Sequence, residues 1–370
     1  MWPEGEGRDA HSLHYVLPWA GGFPPELAAW CIERYSKRGE VVLDPFCGSG
    51  TTALEAVLAG RVACAVDANP LATRVTAAKI RPADISEVTL ALQNVNFRRP
   101  IDLKLHSGVF APFYDIDTFR ELMNLRTVVG ERGDRIFRFI ELVALSLLHG
   151  HSAGYFSVYS FPQISLPPEE QELLNVKRRQ VPDYRAVVPR VLRKAASVLR
   201  DGWASSIRGL EGRHRVETAD ARDLGFLRNS SVDLVVSGPP LPGDPDPVQD
   251  QWLRLWFAGV KAAGVRDQLF RCSEVGEWLE FMNSALFELA RVVRPRGRAV
   301  LDLRSISIDR REILLDDELS AMVQEQLGAY WDIEGVFVNR EKPSRLGTCV
   351  REREPGKSPE RSRMVVLRRR

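Results

Sequence analysis

Val41–Pro70, VVLDPFCGSGTTALEAVLAGRVACAVDANP, decides the fold. Val41–Leu43 is a run of β-favouring apolar residues and reads as a buried strand, with Asp44 at its end. A tight loop follows, Pro45-Phe46-Cys47-Gly48-Ser49-Gly50. Gly48 and Gly50 permit positive φ and carry no Cβ, so a ligand can lie against the backbone there. Thr51 opens a helix to Ala59, and Gly60 suits the position after its C-terminus. A second apolar strand, Val62–Val66, ends at Asp67. The unit is a βαβ start with a carboxylate at the tip of each strand.

Two ligands compete for this loop. Gly48-x-Gly50-x-x-Ala53 fits a loose dinucleotide fingerprint, with Asp67 at the distance of a ribose partner. In a dinucleotide fold, however, the glycines follow the strand directly and cradle a pyrophosphate. Here Asp44-Pro45-Phe46-Cys47 intervenes, and a carboxylate beside the loop repels phosphate and attracts a cation such as an ammonium or a sulfonium. The chain has no GxxxxGK[ST], which argues against ATP.

The spelling DPFCGSGTT resembles motifs I and II of S-adenosylmethionine-dependent DNA methyltransferases of the amino-methylating kind, which act on N4 of cytosine or N6 of adenine. The resemblance implies an α/β fold: a Rossmann-like methyltransferase sheet with helices on both faces. It implies that Asp44, Pro45 and the Phe46–Gly50 backbone, through Cys47, Gly48 and Ser49 and on to Thr51, hold the methionine part of the cofactor. Asp67, with Ala68 beside it, takes the ribose hydroxyls. Upstream, Phe23-Pro24-Pro25 resembles the family's motif X, which closes over the methionine end. Pro25 also suits the first turn of a helix to about Ser36, with Leu27, Cys31 and Tyr35 on one face.

Asn69 and Pro70 predict the cap and first turn of a helix to about Lys79. The α/β rhythm then breaks. Residues 81–213 are too long for one crossover and read as a mainly helical insertion, a lid or a DNA-recognition region. Asp134–Leu148 reads as a buried helix, Tyr155–Phe161 as an aromatic, extended run, and Val187–Leu199 as a basic amphipathic helix. The aromatics there read as packing, the alternative being that Tyr155, Tyr159 or Phe161 faces DNA. Lys177-Arg178-Arg179 is a basic run of the type that holds phosphates. The chain thus divides into 1–80, 81–213 and 214–370.

The α/β pattern resumes with Val216-Glu217-Thr218 and the strand Val232–Val236. By the resemblance Asp220, followed by Ala221, accepts from the cofactor's adenine. The strand ends at Ser237-Gly238-Pro239-Pro240-Leu241, where the family carries [Asp/Asn/Ser]-Pro-Pro-[Tyr/Phe/Trp]. An exocyclic amine is a poor nucleophile. A side-chain acceptor and the first proline's carbonyl aim its lone pair, and the aromatic stacks on the flipped base. Gly238 lacks an acceptor and Leu241 lacks a π-face. Ser237 offers a hydroxyl one residue early, on the opposite side of the strand. A Pro/Asp-rich loop follows, then Trp252 and Trp256 as an i, i+4 core pair. A helix over Glu277–Val293, an Arg294-Pro295-Arg296-Gly297 turn and a strand Ala299–Leu303 come next. Tyr330–Val338 and Met364–Leu367 are candidate strands of an antiparallel hairpin, with Ser344–Ser362 a polar loop.

Net charge is only +2, but Val338–Arg370 carries eleven Lys/Arg against four Asp/Glu, a basic tail that reads either as solvated surface or as attraction for phosphate. Cysteines 31, 47, 64, 272 and 349 form no CxxC pair, which argues against a zinc site or a disulfide framework and suits a reducing cytoplasm, and no metal is expected. The N-terminus shows no signal core, and Phe139–Leu148 is too short to span a bilayer, so no membrane partner is expected. The resemblance implies methyl transfer to double-stranded DNA with base flipping, as in restriction-modification, with N4-cytosine favoured over N6-adenine through Ser237 and the family outline. Two rivals stand beside it: a non-catalytic DNA-binding module that keeps the cofactor pocket, and an RNA methyltransferase.

Overall fold

The computed structural model describes residues 10–19, 21–161, 165–203, 209–308, 311–338 and 362–370. The first element of the described residues is a 3-10 turn, Ser12–Tyr15, followed by α1 (Pro25–Tyr35), β1 (Val41–Asp44), α2 (Thr51–Leu58), β2 (Val62–Asp67) and α3 (Pro70–Lys79). A helical stretch holds α4 (Ile85–Gln93), α5 (Ile116–Arg132), α6 (Arg135–Leu145), α7 (Pro168–Arg178) and α8 (Val187–Val198). The sheet resumes with β3 (Arg215–Thr218) and β4 (Val232–Ser237), and ends with β5 (Val293–Ile308), β6 (Arg311–Leu314), β7 (Trp331–Val338) and β8 (Ser362–Arg369).

The main path of the sheet runs β3-β2-β1-β4-β5-β8-β7, with β6 paired only to β5. The first five strands on this path are parallel, and β8 lies antiparallel between β5 and β7. This is a doubly wound, Rossmann-like sheet, and its order reverses at β1/β4, where ligands sit beyond the carboxyl ends of the strands. Strand alternation splits the core in two. Val42, Ala63, Leu234 and Val300 face α1 and α2, while Leu43, Cys64, Val235 and Leu301 face the helices Val275–Val292 and Leu315–Gln326.

Asn69 caps α3 as the sequence predicts, its Oδ1 accepting from the Leu71 amide at 3.0 Å, while the helix expected over Asp134–Leu148 runs from Arg135 to Leu145 with Asp134 as its cap. The Arg294–Gly297 segment is a bulge within β5 rather than a turn before it. Val293 pairs with Val232 and Arg298 with Leu234, and Arg296 takes φ +66°. The expected hairpin forms, with Phe337 opposite Met364 and Ile333 opposite Leu367. Ser344–Ser362 lies outside the described residues apart from Ser362, which opens β8.

Other expectations are corrected. Tyr155–Phe161 is not extended: its one bridge pairs Tyr159 with Gly150. The reason is competition for its backbone, since the Phe156 amide donates to Leu147 and the Val158 amide to Phe113. Trp252 and Trp256 both pack on Phe110, with ring centroids at 5.8 and 4.2 Å, so an aromatic from the insertion joins what the sequence suggests is a pair. The helical stretch shares one apolar core with α3 and with Val248–Val265: Leu71, Val75, Phe139, Leu142, Val191 and Leu253 belong to it. Among the described residues no helix is long and apolar enough to cross a membrane.

Candidate active site

The site is built where β1, β2 and β4 end. Asp44, 4 % exposed, accepts from the Phe46 amide at 3.2 Å and from the Ser237 hydroxyl at 2.5 Å, both on Oδ1. Desolvation dominates its titration and pushes the carboxyl up to about 7, although the Ser237 and Phe46 bonds oppose the shift. Asp67 accepts from the Gly48 amide and the Asn69 amide, each at 2.8 Å, one on each oxygen. Desolvation raises it to about 6 against those two bonds. Two carboxylates with raised proton affinity flank one loop, an arrangement that favours an incoming cation.

The loop is held close by contacts that a side chain would break. A Cβ on Gly50 would stand 2.6 Å from Thr76 Oγ1, and Gly50 sits at φ +79°. A Cβ on Gly48 would stand 3.2 Å from the Trp19 indole nitrogen. The Cys47 amide donates to Val66 and the Gly50 amide to Cys47, so the loop turns back on its own backbone. Cys47 is buried, with Thr76 Oγ1 3.5 Å from its sulfur, and burial raises its thiol well above the ordinary range. Ser49 and Thr51 lie side by side, hydroxyls 3.5 Å apart, and Pro45 is buried at the start of the loop.

Asp220 is not a free acceptor. Arg222 binds it through Nε, at 3.0 Å to Oδ1 and 3.1 Å to Oδ2, and through Nη2 at 2.6 Å. Partial burial opposes ionisation, yet the Arg222 bonds outweigh it and hold Asp220 below the usual carboxylate range. Ala221 beside it is buried. The Arg222 guanidinium lies 5.2 Å over the Phe281 ring, and Phe281 stacks on Phe270 at 3.9 Å and meets Phe46 at 5.8 Å. Asp220, Arg222 and this aromatic group share one side of the loop. Ala68 is partly exposed between Asp67 and Asn69.

On the other side, the Phe23 ring would lie 3.7 Å from a Cβ at Gly238. Phe23 therefore faces the Pro-Pro motif, while Trp19 faces the glycine loop. Pro24 caps α1, its carbonyl accepting from Leu27 and Ala28. The Pro240 carbonyl accepts from the Trp278 indole at 2.8 Å, whereas the Pro239 carbonyl accepts no hydrogen bond among the described residues. Ser237 is fully buried and its hydroxyl is committed to Asp44. Leu241 is 6 % exposed and belongs to the core beneath the sheet with Trp278 and Phe281. It offers no surface to a base. Asp244 caps the loop by accepting from the Leu241 amide at 2.9 Å.

Sequence reasoning missed Trp19, Thr76, Arg222 and Phe281. Trp19 lies four residues before Phe23 and could have been read with it. The other three meet the loop only through the fold.

Residues 5–78 match a family model described as DNA methylase, for N6- and N4-methylating enzymes. A curated relative, the Type II methyltransferase M.MjaII of Methanocaldococcus jannaschii, is 29% identical over 76 residues, 20% of this chain and 14% of the relative. This chain thus matches only 14% of that relative's length. Among solved structures, a protein of Thermus thermophilus described as a putative DNA modification methylase is 19% identical, covering 40% of this chain and 51% of that one at a TM-score of 0.25. A SAM-dependent methyltransferase of Methanosarcina mazei is 10% identical, covering 91% and 95% at a TM-score of 0.36. At such scores nothing about site or substrate passes from those structures to this chain.

Proposed function

We propose that this chain, whose residues 5–78 match the N6/N4 DNA methylase family, transfers a methyl group from S-adenosylmethionine to an exocyclic amine of a base in duplex DNA, with the base flipped out of the stack. The observation that carries the reading is the Ser237–Asp44 hydrogen bond. It fastens the strand bearing the Pro-Pro motif to the strand bearing the cofactor loop, so both motifs work at one point. The residues fit the cofactor: a loop whose Gly48 lies against Trp19 and whose Gly50 lies against Thr76, with a buried carboxylate, Asp44, and a half-buried one, Asp67, beside it. Asp44 and the Phe46–Gly50 backbone would hold the amino acid end, Asp67 the ribose, and Asp220 with Arg222 the adenine. When bound, the cofactor supplies an electrophilic methyl on a sulfonium. The unengaged Pro239 carbonyl would accept one hydrogen of the attacking amine and aim its lone pair. Ser237 no longer favours cytosine, because its hydroxyl serves Asp44. N4-cytosine over N6-adenine then rests on the family outline alone.

A second reading, a cofactor-binding module without catalysis, is favoured by Gly238 and by the burial of Leu241. One experiment separates the two. Transfer from labelled cofactor to mixed duplex DNA, with modified nucleosides identified by mass spectrometry, should yield N4-methylcytosine or N6-methyladenine. Cofactor binding without transfer to DNA or RNA would leave the second reading standing.

A further inference from the structure

Arg254 lies on the helix Trp252–Phe257, downstream of the Pro-Pro loop, and is 4 % exposed. Its described hydrogen bond runs from Nη1 to the Pro18 carbonyl at 3.2 Å, and its Nε is sealed without an acceptor among the described residues. The other buried arginines are satisfied differently. Arg61 donates to the Ala59, Ile32 and Ser36 carbonyls, and Arg185 meets the Asp183 carboxylate and main-chain carbonyls. The titratable neighbours that act on Arg254 or respond to it are the Tyr155 phenol and the His149 imidazole, neither of them a carboxylate. Desolvation pulls the guanidinium down to about 10, so it remains charged at neutral pH. A buried cation without an anion is strongly unfavourable.

The position explains what could complete it. Pro18, which receives Arg254, directly precedes Trp19, whose indole covers Gly48 of the cofactor loop. We propose that Arg254 is an oxyanion-binding residue of the active site, its counter-charge arriving with a ligand. A guanidinium presents a planar fork suited to two oxygens of a carboxylate or phosphate. Two sources at this site carry that chemistry: the α-carboxylate of S-adenosylmethionine, and a phosphodiester beside the methylated base. The inference rests on the function proposed above.

The test compares wild type, Arg254→Met and Arg254→Lys in the full chain. Ligand-free melting is measured. Calorimetry follows S-adenosylmethionine and its decarboxylated analogue, and anisotropy follows a labelled DNA duplex. Arg254→Met should melt higher than wild type without ligand and lose about ten- to a hundredfold in affinity for one ligand. Loss for S-adenosylmethionine but not for the decarboxylated analogue identifies the carboxylate. Loss for the duplex with cofactor affinity intact identifies the phosphate. Unchanged affinity for both overturns the proposal and leaves Arg254 as a structural tie to Pro18. Should the Met variant fail to fold, Arg254→Lys decides: it keeps the charge without the fork, so partial loss for one ligand supports the proposal and wild-type affinity for both overturns it. If wild type binds neither ligand, the methyltransferase reading itself falls, and this inference with it.

Discussion

The Ser237 hydroxyl donates to Asp44 Oδ1 at 2.5 Å, across the seam where β4 meets β1. Asp44 is almost wholly buried and has no cationic partner among the described residues, so this bond is part of what lets it ionise at all. The same contact ties the loop expected to grip the methyl donor to the motif expected to aim the acceptor. A change at one should be felt at the other.

That coupling predicts a pH profile. Asp44 titrates near 7 and Asp67 near 6 in the free protein, both raised from 3.8 by desolvation. A raised folded-state value means that the native protein binds more protons than the unfolded chain between about pH 4 and 7, so these two groups lower stability as pH rises through that window. Binding of a cationic ligand runs the opposite way and should strengthen as pH rises through 7. Ser237→Ala removes a bond that lowers the Asp44 value, so the midpoint of cofactor affinity against pH should move upward. Calorimetry across about pH 5.5 to 8.5 reads it. An unmoved midpoint would detach Asp44 from cofactor binding.

Lys79 gives a prediction of opposite sign. It is fully buried at the end of α3, its Nζ has no hydrogen-bond partner among the described residues, and desolvation lowers it to about 7. Its folded value lies below its unfolded value of 10.5, so the unfolded chain binds more protons between about pH 7 and 10.5 and stability rises across that range. Lys79→Met should therefore stabilise the protein, by about 1–3 kcal/mol below pH 7, with the gain shrinking as pH rises. Denaturant melts at two pH values check it. A destabilised variant at both would reveal a role for the ammonium that its surroundings do not show.

The sheet and the two acidic strand tips were legible because each is local: a short apolar run, an Asp, a glycine loop and a capped helix succeed one another within a single stretch of sequence, Val41 to Pro70. The carboxylate at Asp220 was legible but its partner was not: Arg222 binds back onto it. Thr76 beneath Gly50 and Phe281 beside Phe46 depend on helices that arrive from elsewhere in the chain. The motif gave Leu241 a surface role, but at the end of a central strand one step of backbone decides between site and core, and here the core took it.

The basic tail was read from composition, and three of its described arginines are engaged in ion pairs. Arg363 pairs at 2.6 Å with Asp316, which is 1 % exposed, while Arg368 and Arg370 both meet Asp332. These arginines fasten β8 to its surroundings. Arg363→Ala should cost about 3 kcal/mol, because it strands a buried carboxylate. It should leave the salt dependence of DNA binding nearly unchanged. Lys177 and Arg179 are exposed at the end of α7, and replacing both with Ala should lower the slope of log affinity against log salt by about 2. The reverse result, a slope controlled by Arg363, would return the tail to the DNA interface.

The last prediction separates the two departures in the Pro-Pro motif, which the structure shows to be different in kind. A Cβ at Gly238 would meet the Phe23 ring at 3.7 Å and the Asp302 carbonyl at 3.9 Å, ordinary contact distances, so Gly238→Ser should fold normally. Its hydroxyl would restore a side-chain acceptor at the position before the Pro-Pro pair, to take the second hydrogen of an amine. By analogy with a single oxyanion-hole donor, such an acceptor is worth about 2–4 kcal/mol at the transition state, or about a hundred- to a thousandfold in rate. Leu241→Tyr is another matter. The side chain is packed with Trp278 and Phe281, so a phenol there overfills the core and should cost about 1–3 kcal/mol without giving the base a stacking face. Single-turnover methyl transfer to mixed duplex DNA and denaturant melts should therefore diverge. Gly238→Ser should be faster and as stable as wild type, Leu241→Tyr no faster and less stable, and the double variant no faster than Gly238→Ser alone. A Gly238→Ser protein slower than wild type would mean that the bare backbone at 238 is itself the form the substrate requires, with Phe23 closing directly over it.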